Sequence, residues 1–264
     1  MVERLFSKQK VAGSRPVSRF FKIIYSDLKS HDYKKFSQEY SKLDISDTFY
    51  LGYRDVPELL KQYTKGKKAL DFGCGSGRST RFLKQLGFKI TGVDINPDMI
   101  KQAMKLDPEG DYRLMQEGHI PLENESFDLV TVFIMLMEVP NLKKMKIIFS
   151  EIHRVLRKDG IVLIITDAEN MYQHEAASFT FKFPENKNIK SGMQVKLKFR
   201  GGKIVFFDYY WTESDYKKVF ISTRFKVIKL HKTLATGKEL FKWYSESKYP
   251  HFSVYVIKKF KVWL

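Results

Sequence analysis

The stretch Lys67-Lys68-Ala69-Leu70-Asp71-Phe72-Gly73-Cys74-Gly75-Ser76-Gly77-Arg78-Ser79-Thr80 constrains the fold more than any other part of the chain. Ala69, Leu70 and Phe72 read as a short buried strand that ends close to an acid. Three glycines follow at every second position, and without Cβ atoms the backbone can turn sharply there. A flat ligand can press against such a turn and use its N–H groups. The helix expected from Ser76 onwards aims the positive end of its dipole at the same spot. Strand, glycine turn and helix in this order form the opening unit of a parallel α/β sheet, whose ligand sits at the carboxyl ends of the strands.

Two ligands suit a turn of this kind. A dinucleotide fingerprint reads G-x-G-x-x-G, with its third glycine where the helix packs on the strand. Here that position is Arg78, and the spacing is G-x-G-x-G. A pyrophosphate gains nothing from a carboxylate at the strand tip, whereas a cation is drawn to Asp71. The sulfonium and α-amino groups of S-adenosylmethionine are such cations. The pattern D-x-G-C-G-x-G, Asp71 to Gly77, resembles motif I of the class I (seven-strand) S-adenosylmethionine-dependent methyltransferases. The competing reading is a structural glycine turn in some other α/β domain.

The next motifs follow in chain order. Phe88 to Asp94 reads as a second apolar strand closed by an acid, after a helix from Ser79 to Leu86 that Gly87 ends. Asp94 lies about where both dinucleotide and methyltransferase folds hold the ribose hydroxyls, a task suited to a charged acceptor. Ile95 is expected to flank the adenine, and Asn96-Pro97 opens a helix with Met99 and Ile100 on its inner face. After a third strand, Tyr112 to Gln116, comes Glu117-Gly118-His119-Ile120-Pro121, where the family often has Gly-Asp-x-x-x-Leu-Pro. No Asp precedes this proline, so the adenine amino group falls to Glu117, His119 or a backbone carbonyl. Gly118, His119 and Ile120 are assigned to the cofactor. Ser126-Phe127-Asp128-Leu129-Val130 matches the family's fourth strand, and the resemblance puts Phe133 and Ile134 over the methionine part. Glu151 to Gly160 is similar to the family's E-x-x-R-V-L-k-p-G-G and ends an amphipathic helix, Lys143 to Leu156, before strand five at Ile161 to Thr166.

Three acceptor-side and carboxylate-side residues are singled out. Arg54 suits the cofactor's carboxylate, a bidentate task for a guanidinium, although a surface Arg is an equal alternative. Glu138 interrupts an apolar run at the mouth of the sheet, where a carboxylate is costly unless paired. It is a candidate to orient the acceptor or take its proton, against a structural ion pair with Arg54 or Lys143. His174 is the second catalytic candidate. Tyr33, Tyr172, His174 and Trp211 are expected walls of the acceptor site.

At 264 residues the chain can bury a full core as one domain with an insertion. Residues 1–55 are expected to form a leader and cap helices, the apolar spacing running from Phe20 to Tyr40, and 56–264 the methyltransferase domain. An insertion at about 167–211 is expected to act as a substrate lid. Within it, Gln194 to Tyr210 alternates on both sides of Gly201-Gly202, a hairpin signal. Thr212 caps a helix to Ser222, Phe225 to His231 and His251 to Lys259 form the last two strands, and Lys238 to Tyr244 reads as a short helix between them. Cys74 is the only cysteine, which excludes internal disulfides and a thiolate metal cluster, and no metal is expected. Neither a signal-peptide core nor an apolar span of ~20 residues is present, so a cytoplasmic protein without membrane insertion is expected. The net charge of +17 reads either as a polyanion-binding surface or as a lysine-rich surface spread along the chain. The absence of a concentrated basic stripe favours the second.

The fold implied is a Rossmann-like α/β sheet of strand order 3-2-1-4-5-7-6, the last strand antiparallel, with helices on both faces and a β-hairpin insertion after strand five. The activity implied is direct methyl transfer from S-adenosylmethionine to a small-molecule acceptor. RNA or DNA is the alternative acceptor, disfavoured because Phe133-Ile134-Met135-Leu136 stands where amino-directed nucleic-acid enzymes have Asn-Pro-Pro-Tyr. A non-catalytic S-adenosylmethionine-binding protein is a third reading. Oligomeric state is open.

Overall fold

A computed structural model of the chain describes residues 41, 45–200 and 205–260. The expected cap helices up to Tyr40, the acceptor wall Tyr33 and the Gly201-Gly202 turn lie outside the described residues. Two helices, α1 (Asp47–Tyr53) and α2 (Val56–Tyr63), lead into β1 (Lys68–Phe72). Alternation then follows: α3 (Arg78–Gln85), β2 (Lys89–Asp94), α4 (Pro97–Leu106), β3 (Asp111–Leu114), β4 (Phe127–Phe133), α5 (Leu142–Val155) and β5 (Leu156–Asp167). The insertion carries β6 (Phe179–Thr180), β7 (Gln194–Phe199) and β8 (Val205–Tyr209). α6 (Glu213–Ser222), β9 (Phe225–Lys232) and β10 (Phe252–Lys259) complete the described chain.

The main sheet has the order β3-β2-β1-β4-β5-β10-β9. With the insertion strands set aside, this is the expected 3-2-1-4-5-7-6. β1 runs parallel to β2 and β4, and β4 parallel to β5, while β10 is antiparallel to both β5 and β9. The expected hairpin is present, β7 pairing antiparallel with β8 from Gln194↔Tyr209 to Lys198↔Val205, and β6 extends it into a separate three-stranded sheet.

Side-chain alternation along the strands separates two apolar layers. On β4, Leu129 and Phe133 join one cluster while Val130 and Val132 join the other; on β10, Val254 and Val256 oppose Tyr255 and Ile257. The first layer takes in Phe49 and Tyr53 of α1, Val56 of α2 and Phe179, Val195 and Leu197 of the insertion, so α1 and the insertion share one core with the sheet. The second is filled by α5 and α6, where Phe149 stacks edge-on to Phe220 at 4.9 Å. Burying a side chain of that size contributes about 1.5–3 kcal/mol.

Two expected helix positions are corrected. α3 begins at Arg78 rather than Ser76, because Gly77 takes a left-handed φ of +80° and serves as the N-cap. Lys238 to Tyr244 is irregular rather than helical. There the Glu239 carboxylate accepts the backbone N–H groups of Thr236 and Gly237 and the indole N–H of Trp243, so a side chain satisfies what a helical turn would have paired. No described helix is long and apolar enough to cross a membrane.

Candidate active site

A cavity opens at the carboxyl ends of β1, β2 and β4, where parallel α/β sheets place their ligands. Gly73 and Gly75 form its floor, with left-handed φ values of +71° and +52°. At Gly73 a Cβ would lie 2.7 Å from Met135 Cγ, so this position needs both the conformation and the space that glycine offers. The turn is fastened to β2, since the N–H groups of Gly73 and Cys74 both donate to Val93 O at 2.9 and 3.0 Å.

Asp94, at the end of β2, lines the cavity and divides its oxygens. Oδ2 accepts the Gly75 N–H and Oδ1 the Asn96 N–H, each at 2.8 Å. One acceptor site on each oxygen is already used, and each oxygen retains a further lone pair. Burial pushes this carboxyl upward, and the backbone donors of Asn96, Gly75 and Ile95 oppose the shift. Asn96 caps α4 by accepting from Asp98 N and Met99 N, which sets Met99 against the cavity beside Ile95. Met115 and Ile148 supply further apolar wall on this side, and Lys144 Nζ pairs with Glu117 Oε1 at 2.6 Å, next to Gly118 at the rim.

The opposite end is formed by Phe133, Ile134, Met135, Glu138, Tyr53 and Arg78. Ile134 has φ +53°, a strained conformation for a β-branched residue, and its N–H donates to Ile165 O. Tyr53 stands edge-on to Phe82 and Phe133 at 5.1 and 5.4 Å. Arg78, the first residue of α3, lies over the Phe49 ring at 4.5 Å. Glu138 is the exposed end of a 3₁₀ turn, Leu136–Glu138, whose other two residues are buried.

Of the residues assigned from the sequence, Gly73, Gly75, Asp94, Ile95, Met99, Gly118, Phe133 and Glu138 line this cavity. The remaining six do not. Asp71 is fully buried behind the turn, where Oδ2 accepts from Ser79 and Thr80 at 2.6 and 2.7 Å and Oδ1 from Thr131 at 2.9 Å. It fastens β1 to α3 and β4 instead of facing a cation, and burial raises its pKa against those three hydroxyls. Gly77 packs on Tyr112, whose Oη would lie 2.6 Å from an added Cβ. Arg54 is bound to Asp55 at 2.9 Å, to Glu239 at 3.1 Å and to Leu234 O at 3.0 Å. His119 points outward, 3.6 Å from Glu151, and Ile120 is buried with its N–H on the same carboxylate. His174 stacks on Tyr249 at 3.4 Å, and its imidazole pKa is depressed by burial.

The expected acceptor walls are likewise displaced. Trp211 is buried and donates from Nε1 to Val139 O at 3.0 Å, so it supports the rim and does not line it. Tyr172 donates to Asp167, and its hydroxyl lies 3.1 Å from Asp208 Oδ2. Both carboxyls are pushed upward by burial, Asp167 to about 7. Sequence reasoning missed Arg78, Tyr53 and Lys144. For Arg78 a signal was present: it replaces the third glycine of a dinucleotide turn, a departure that brings a guanidinium to the start of α3. Among the described residues no group of His, Cys, Asp and Glu is arranged to hold a metal ion.

Comparison with known proteins places this geometry among others. A family model described as a methyltransferase domain matches residues 70–164. A protein of Geobacillus sp. (strain WCH70) that bears a methyltransferase name is 32% identical over 176 residues, which is 62% of this chain and 70% of that protein. A malonyl-[acyl-carrier protein] O-methyltransferase of Hamiltonella defensa is 31% identical over 97 residues, 37% of this chain and 36% of that protein. A solved structure from Methanosarcina mazei, described as an S-adenosylmethionine-dependent methyltransferase, superposes with a TM-score of 0.58 at 19% identity, covering 77% of this chain and 98% of that one.

Proposed function

The chain belongs to the class I S-adenosylmethionine-dependent methyltransferase family, and from that premise we propose that its cavity binds S-adenosylmethionine and serves methyl transfer to a small-molecule acceptor at the Glu138 end. The observation that carries this reading is Asp94. Its two oxygens are fixed by backbone N–H groups, keep further acceptor capacity, and belong to a residue that lines the cavity, which suits a pair of vicinal ribose hydroxyls. Ile95, Met99, Met115 and Ile148 suit a flat heteroaromatic ring, with Glu117 and Gly118 at its polar edge. Arg78 takes the carboxylate role that Arg54 cannot, since Arg54 is engaged by Asp55 and Glu239.

When bound, the cofactor supplies an electrophilic methyl group on a sulfonium. The chain's own part is to orient and to exclude water. Phe133, Ile134 and Met135 give the reacting end an apolar wall, and Glu138 stands there to accept a proton from the acceptor's nucleophile. β8 packs against the Leu136–Glu138 turn, which supports the insertion as a lid over the acceptor. A small acceptor group is supported by the malonyl-[acyl-carrier protein] O-methyltransferase relative, whose name gives a malonyl unit carried on a protein.

Titration calorimetry with S-adenosylhomocysteine tests the reading. Wild-type protein is expected to bind one equivalent, and Asp94→Ala to lose at least ~2 kcal/mol of affinity, the scale of charge-assisted hydrogen bonds. Absence of binding to the wild type overturns it.

A further inference from the structure

A second depression lies at the opposite end of β1 from the glycine turn, between α2 and the α3–β2 connection. It is lined by Pro57, Leu60, Thr64, Leu86 and Phe88, with Lys61, Lys65 and Lys67 around it. Its volume is about 350 Å³, at the small end of the range for ligand sites. No part of it belongs to the cavity already described.

Three observations define what would fit. First, the only charges among the lining residues are the three ammonium groups; Asp128, the carboxylate that lies against Gly66, is engaged by the Lys68 N–H and by Arg157. α2 ends here, and its C-terminal carbonyls carry about half a negative charge, which three cations exceed. Second, Thr64 Oγ1 is buried and has no hydrogen-bond partner among the described residues, a condition that native structures rarely leave unmet. Third, the floor is aliphatic, because the one aromatic face is already occupied: Lys67 Nζ sits 4.5 Å over the Phe88 ring and 3.4 Å from Leu86 O. That cation covers one face of a ring that is otherwise buried, which leaves no open face for a nucleobase, and the lining residues themselves carry no carboxylate for a metal ion. An anionic head on an aliphatic tail satisfies every feature at once.

We propose that this groove binds a soluble amphiphilic anion, its carboxylate or phosphate head held by Lys61, Lys65, Lys67 and Thr64 and its aliphatic tail lying on Pro57, Leu60 and Leu86. The proposal is independent of the methyl-transfer reading, since the groove shares no residue with that cavity. Sodium octanoate is the probe, followed through the methyl signals of Leu60, Leu86 and Thr64 in a ¹³C-methyl-labelled full-length protein saturated with S-adenosylhomocysteine. Saturable shifts at those three residues are expected, with sodium acetate and octylammonium chloride each at least tenfold weaker. The double variant Lys61→Gln/Lys65→Gln should weaken octanoate at least fivefold, and Thr64→Val about threefold, with the folded spectrum retained. Equal binding of octylammonium, unchanged affinity in the double variant, or shifts confined to other residues would each overturn the proposal. So would capture by phosphatidylglycerol vesicles with no response to monomeric octanoate, which would make the surface a membrane contact.

Discussion

Asp167→Asn should change how stability depends on pH, and the direction follows from one missing proton. Tyr172 has a single hydroxyl hydrogen, which it donates to Asp167, while Asp208 Oδ2 stands 3.1 Å from the same oxygen. Two ionised carboxylates cannot both accept from it, so the cluster keeps an extra proton, and burial raises both acids, Asp167 from 3.8 to about 7. Tyr216 and Glu138 also face the pair, and neither supplies a positive charge. A raised carboxyl contributes stability that is complete below its unfolded pKa and is lost as pH rises through its folded one. Between pH 5.5 and 8 that loss is about 2 kcal/mol at 1.36 kcal/mol per pH unit, or about 4 °C in Tm for a chain of this size. Asn at 167 keeps an acceptor for Tyr172 and removes the titration. Urea denaturation of both proteins at pH 5.5, 6.5, 7.25 and 8 isolates the effect, because His174 and His251, depressed by burial and pulling the other way, are common to both and cancel. The difference between variant and wild type should move in favour of Asn by about 2 kcal/mol across the series. A difference that stays flat, or that moves against Asn, refutes the shared-proton argument.

Arg78→Ala is expected to weaken S-adenosylhomocysteine binding about tenfold or more, the worth of one charge-assisted contact, while Arg54→Ala leaves it within about twofold by calorimetry. Glu138→Gln should lower turnover by about 10²-fold, the lower range for general-base catalysis, with cofactor affinity unchanged; the assay is transfer of labelled methyl to an acceptor recovered from a metabolite extract. Glu246 is fully buried and accepts from Thr48 Oγ1, Ala177 N, Tyr244 N and Ser245 N, joining α1, the insertion and the β9–β10 connection. Glu246→Ala strands several buried donors and should cost about 3 kcal/mol or more, seen as a lower urea midpoint at unchanged slope.

The fold was legible because its signals are local. Glycine turn, helix and strand recur with periods that a short window contains, and the order of the sheet follows from parallel crossovers and one antiparallel return. The meeting of Gly75 with Asp94 was legible for the same reason: Gly75 follows β1 and Asp94 ends β2, adjacent parallel strands whose ends the sheet brings together. Lys238 to Tyr244 misled because apolar spacing there met a stronger local competitor, the Glu239 carboxylate on its own backbone.

The residues misread at the site share a different cause, which is the direction in which a side chain leaves its element. Asp71 and Asp94 both close apolar strands, and sequence treats them alike. On β1, however, Asp71 meets Ser79, Thr80 and Thr131, whose hydroxyls come from α3 and β4 and draw it away from the cavity. On β2, Asp94 finds backbone donors, those of Gly75, Asn96 and Ile95, which hold it at the rim. Two of Asp71's partners are eight and nine residues ahead, consecutive in the first turn of α3, and so were present in the motif as Ser79-Thr80. A hydroxyl pair at that spacing after a strand-end acid marks a clasp, because a buried carboxylate needs donors and hydroxyls on the following helix are the nearest ones. Read that way, the positive end of the cavity falls to Arg78, the residue between the turn and the clasp, and the contrast between Arg78→Ala and Arg54→Ala becomes the measurement that separates the two assignments.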